Sequence, residues 1–106
     1  MAAHVSENIR RLAGMFMVEQ QRLARFVGIS RQSMYAIYTG KSRPSAETAL
    51  RIASAFGIAV EDLFSEPQEC LTAALPHLYE APITELEVGE TAVVTGKVTP
   101  LRKSRN

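Results

Sequence analysis

Residues 23–44 read LARFVGISRQSMYAIYTGKSRP, and the fold turns on what stands either side of Gly28. Before it, Leu23, Ala24, Phe26 and Val27 form the apolar set of a short helix over about 20–27. Gly28 is a natural terminator, because it takes a positive φ without a Cβ penalty. After it, Ser30 is an N-cap for a further helix over about 30–38, and Gly40 closes that helix. Met34 and Ile37 are its inward positions, and Arg31, Gln32, Tyr35 and Ala36 remain outward. Ala24 is small where two such helices meet. No Asp or Glu occurs between Gln20 and Ala46, while Arg22, Arg25, Arg31, Lys41 and Arg43 all do. Such a surface approaches phosphates without like-charge repulsion.

Working outward, Val5, Ile9, Leu12, Ala13 and Phe16 recur at helical spacing and predict a first helix over about 5–16. Downstream, Ser45 is an N-cap, and Glu47 suits the positive end of the helix that follows. Ala46, Ala49, Leu50, Ala53 and Phe56 are read as its buried stripe, and Gly57 as its end. Ile58, Val60, Leu63 and Phe64 predict one more short helix over about 60–64. Pro67 marks a boundary between a helical domain (1–66) and a C-terminal extension (67–106). In the extension, Leu71, Ala74, Leu75 and Leu78 allow a short helix interrupted at Pro76. From Ile83 the period changes to two: TELEV, then Gly89-Glu90, then TAVVTGKV reads as a β-hairpin over about 83–98. An isolated hairpin is marginal in water, so it is expected either to pack on the helices or to pair with another chain. The fold class is therefore mainly α, five helices with a small C-terminal hairpin.

The formal net charge of +1 averages unlike regions of the 106 residues. Residues 1–66 carry eight Lys/Arg against six Asp/Glu, 67–98 one Lys against five Glu, and the end adds Arg102, Lys103 and Arg105. No apolar run reaches the roughly 18–20 residues of a spanning helix. The N-terminus lacks signal-peptide character, and Cys70 is the single cysteine, so a cytoplasmic protein with no membrane partner is expected. His4 and His77 stand far apart without Cys or Asp at ligand spacing, so no metal and no cofactor is expected. Met15, Met17 and Met34 are read as core or rim packing. Nothing positions Ser, His and Asp as a nucleophile set, and no Gly-rich phosphate loop occurs, so an enzyme is not expected.

The order Leu-Ala, Gly, polar helix start, Thr-Gly-Lys and Pro, followed by PSAETALRIASAFGIAVEDLF, resembles the helix-turn-helix of the Cro/phage-repressor family of transcription regulators. The likeness covers about residues 5–64. It implies a repressor-like five-helix domain that reads double-stranded DNA with the helix after Gly28. Residue by residue, it implies that Arg31, Gln32 and Ala36 face base edges. Arg suits guanine O6/N7, Gln suits adenine, and the alanine methyl suits a thymine methyl. Tyr35 is placed with them, although shielding of the helix is its other reading. Gln20 and Ser33 are implied to hold phosphate, together with Lys41, Ser42 and Arg43 in the loop that follows. Arg22 and Arg25 are read as solvated or salt-bridged as readily as DNA-touching.

Two departures stand out. Many relatives have Glu where this chain has Tyr38, paired with an Arg at the position of Ala13; here both are replaced together, and Tyr38 is read as packing. The cap of the second helix is Glu19 instead of Ser or Thr. The functional expectation is a bacterial or phage-encoded, operator-occupying repressor, a homodimer joined through 67–98. The alternative is an antitoxin that autoregulates through the same motif and binds a toxin partner through 67–106, which the glutamates from Glu69 to Glu90 suggest. The end LRKSRN is read as a solvated tail, or as an arm trailing along DNA.

Overall fold

The computed structural model of the chain describes residues 3–84, which form six α-helices and a terminal 3-10 turn. They are α1 (Ala3–Met15), α2 (Gln20–Val27), α3 (Arg31–Tyr38), α4 (Ala46–Phe56), α5 (Val60–Leu63) and α6 (Pro67–Ala74), with the turn at Leu75–His77. The five helices expected up to residue 64 are all present. Their ends are chemically marked as expected. The Ser30 hydroxyl accepts from the Ser33 amide at 3.0 Å, and the Ser45 hydroxyl accepts from the Thr48 amide at 3.1 Å. Gly28 ends α2 at φ +89°, a conformation that any side chain would strain.

One core gathers all six helices. Val5, Ile9, Leu12, Ala13 and Phe16 supply its α1 face, Leu23, Ala24 and Val27 that of α2, and Met34 and Ile37 that of α3. Phe56 stacks on Phe16 with ring centroids 5.0 Å apart and planes tilted by 59°.

On α4 the stripe differs from the expected one. Ala49, Ala53 and Phe56 are buried, but Ala46 is exposed and Leu50 is 56% exposed, while Ile52 and Ala55 are buried instead. At about 100° per residue, Leu50 lies on the flank of Ala49 opposite to Ile52, so the buried arc is rotated toward Ile52 and Ala55. Met17 is no rim residue either. It is 87% exposed, in the α1–α2 connection, at φ +57°.

Pro67 is the first residue of α6, where its missing N–H costs nothing. Cys70 and Ala74 from α6, followed by Ala81 and Ile83, belong to the same buried cluster as α1–α5. Burial pushes the Cys70 thiol up to about 11, with the Asp62 charge adding to the effect. Most of the expected hairpin, 85–98, lies outside the described residues. Its expected start does not hold. Residues 82–84 make a helical turn, Ile83 is fully buried, and the Thr84 amide donates to the Ala81 carbonyl at 3.0 Å. Burial of Ile83 in the core outweighs the local alternation, whose regular part begins only at Thr84. No described helix is long and apolar enough to cross a membrane.

Two buried polar side chains of α1 join distant segments. The Ser6 hydroxyl donates to the Ile37 carbonyl at 2.6 Å, which fixes α1 against the last turn of α3. Asn8 Nδ2 donates to the Leu63 and Ser65 carbonyls, both at 2.8 Å, which fixes α1 against the end of α5.

Candidate nucleic-acid interface

The α2–turn–α3 unit is held from three sides. Within it, the Gly28 and Ile29 amides both donate to the Ala24 carbonyl, at 2.8 and 3.0 Å, and Ala24 is buried where the helices approach. From α4, Arg51 donates to the Val27 carbonyl at 3.1 Å and pairs with Glu47 at 2.5 Å. A guanidinium thus sits at the negative end of α2, where a cation is favoured. From α1 come Ser6, bonded to Ile37, and Arg10, whose guanidinium donates to the Tyr38 carbonyl at 2.5 Å.

This frame leaves one side of α3 facing solvent. Arg31, Gln32 and Tyr35 are exposed and Ala36 is half-buried. At about 100° per residue these four span an arc of about 140°, away from Met34 and Ile37. The Ser33 hydroxyl accepts from the Ser30 hydroxyl at 3.0 Å, which leaves the Ser33 proton to be donated elsewhere. After α3, the Lys41 and Ser42 amides both donate to the Ala36 carbonyl, at 2.9 and 3.1 Å. That folds the loop back beside the helix, with Lys41, Ser42 and Arg43 exposed.

An open groove of about 400 Å³ results, lined by Gln32, Ser33, Ala36, Ser42, Arg43 and Thr48 among others. It brings five of the expected site residues onto one surface. Arg31 and Tyr35 stand on the adjoining arc of α3, and Lys41 beside the groove in the loop. Gln20 is half-buried at the first position of α2.

The arginines of α2 differ from each other. Arg25 is exposed, whereas Arg22 is half-buried and donates to the Ile83 carbonyl. Arg22 therefore serves to seat the C-terminal segment on α2. Tyr38 packs against the core, and its hydroxyl is buried without a hydrogen-bond partner among the described residues. Burial pushes that phenol up to about 12, the nearby Arg10 charge working in the opposite direction. So Tyr38 packs as expected. Arg10, one turn before Ala13, meets the Tyr38 main chain. Sequence reading assigned no role to Arg10, Asn8 or Arg51, and no distant partner to Ser6. Each acts on a partner at least 24 residues away except for the Arg51–Glu47 pair, so no local signal marked them.

Glu19 at the N-cap of α2 accepts no hydrogen bond from the helix. Glu19→Ser supplies a short hydroxyl at that point and is expected to raise stability by about 0.5–1 kcal/mol. A urea midpoint at or below that of the parent protein would show that the first turn of α2 gains nothing from a side-chain cap.

Two helices at a glycine turn, one presenting a polar acid-free arc, define a helix-turn-helix domain. The family described as the Cro/C1-type HTH DNA-binding domain matches residues 8–69, more than half of the chain, and the protein belongs to that family. An uncharacterized HTH-type transcriptional regulator of Methanocaldococcus jannaschii is 47% identical over 45 residues, covering 42% of this chain and 68% of that protein. The uncharacterized HTH-type transcriptional regulator YgzD of Bacillus subtilis is 35% identical over 60 residues, covering 57% and 91% respectively. One from Archaeoglobus fulgidus is 33% identical over 61 residues, covering 58% and 86%. No solved structure matches.

Proposed function

We propose that this DNA-binding transcription regulator is a sequence-specific repressor that inserts α3 into the major groove of an operator. The observation that carries the reading is the groove in which Gln32, Ser33 and Ala36 of α3 face Ser42 and Arg43 of the following loop. Base-edge donors and phosphate donors thereby share one surface, which is what positioned readout requires. In this reading Arg31, Gln32, Tyr35 and Ala36 read bases. Lys41, Ser42, Arg43, Ser33 and Gln20 hold the backbone, Gln20 at a helix N-terminus suited to an anion.

The protein acts as a homodimer joined through residues 67–98, so that two copies of α3 meet successive turns of a palindrome. Exposed Leu75 and Tyr79 supply apolar area for that contact.

Selection of bound duplex from a random pool, with sizing of the free protein, tests this. A palindrome with half-sites near one DNA turn apart is expected. Arg31→Ala and Gln32→Ala should each cost about 1–3 kcal/mol and relax base choice at one position of the half-site. Unchanged footprints and unchanged base preference in both variants would remove α3 as the reader.

A further inference from the structure

A second concavity, of about 380 Å³, opens on the other side of the loop after α3. Arg10 and Glu7 of α1 form one wall, and Thr39, Gly40, Ser42 and Arg43 form the other. It shares Ser42 and Arg43 with the groove of α3, so the two depressions meet at that loop.

Its charge favours an anion. Two guanidinium groups face a single carboxylate, and Glu7 already accepts from Arg11 at 2.9 Å. Arg10 is exposed, yet its direction is set, because one of its N–H groups is committed to the Tyr38 carbonyl. A guanidinium carries five such donors in a planar fork, so a bidentate set remains for phosphate oxygens.

We propose that Arg10, with Arg43 and Ser42, forms a further phosphate site that extends the DNA interface from the helix-turn-helix onto α1. This rests on the DNA-reading role proposed for α3. A phosphate held here lies against the helix that Ser6 and Arg10 tie to the last turn of α3. Its grip therefore fixes how α3 sits in the groove. The contact is to the backbone and carries no base preference of its own.

The test compares Arg10→Gln and Arg10→Lys in the full chain, on the selected operator and on an unrelated duplex, across a salt series. Gln keeps a donor for the Tyr38 carbonyl but removes the charge. The expected result for Arg10→Gln is a slope of log K against log salt shallower by about one on both duplexes, with base preference unchanged. Arg10→Lys should restore the slope. A parental slope in Arg10→Gln would overturn the site, as would failure of Arg10→Lys to restore the slope. If that happens while Arg31→Ala still relaxes base choice, the site on α1 falls and the reading of α3 stands. If the parent protein selects no duplex, both fall.

Discussion

Phe56→Ala is expected to lower the free energy of unfolding by about 3–5 kcal/mol, the usual penalty for deleting a buried ring whose surroundings relax only in part. Phe56 is fully buried at the end of α4 and stacks on Phe16 of α1. It therefore links the two helices that brace the α2–turn–α3 unit from behind. Domains of this size are stable by about 5–15 kcal/mol, so the variant loses a large share of its margin. Urea titration checks this: the midpoint should fall with little change in slope. A loss below about 1 kcal/mol would mean that the ring is not part of the core.

The second large effect is expected at Asn8, a buried polar residue of α1. Its side-chain amide supplies both N–H groups to carbonyls, those of Leu63 and Ser65. Asn8→Ala leaves both acceptors without that donor. At about 1–3 kcal/mol for an unpaired buried acceptor, and with the Ser65 carbonyl only part-buried, the loss should be roughly 2–5 kcal/mol. Asn8→Asp is more diagnostic. It turns the donor into a carboxylate facing two carbonyl oxygens, and burial there raises its pKa above the usual value of about 4. The sign follows from which state binds the proton. The folded variant keeps it to higher pH than the unfolded chain, so the variant loses stability as pH rises past about 4 and regains it on acidification. Unfolding at pH 7 and pH 4.5 checks this. Equal stability of parent and Asp variant at pH 7 would show that Asn8 does not cap the end of α5.

Much of the fold was legible because its punctuation is local. Ser30 and Ser45 each cap a helix by a bond to the amide three residues on, and Gly28 answers a backbone demand at its own position. The exposed arc of α3 was legible for the same reason, since Met34 and Ile37 fix its phase. What escaped was the phase of α4 and everything held by a distant partner. Leu50 looks as suitable for burial as Ile52, and only the position of the neighbouring helices leaves it in solvent. Ile83 begins an alternating run, but the core takes it into a helical turn. Arg22 reads as a surface cation until the Ile83 carbonyl is found beside it, and Asn8 carries no pattern at all.

By itself, the sequence determined the number and order of the first five helices, the glycine turn, and which face of α3 is left in solvent. Periodicity, capping and the absence of acids operate within a few residues of chain, and these were enough. The tertiary structure alone decided how that face is held. Ser6, Arg10 and Arg51 fix α3 and the end of α2 through carbonyls 24 to 31 residues away, and the segment at Ala81–Ile83 closes the core against α2. Those pairings exist only once the helices have packed, because the groups that meet are far apart along the chain and carry no shared local pattern.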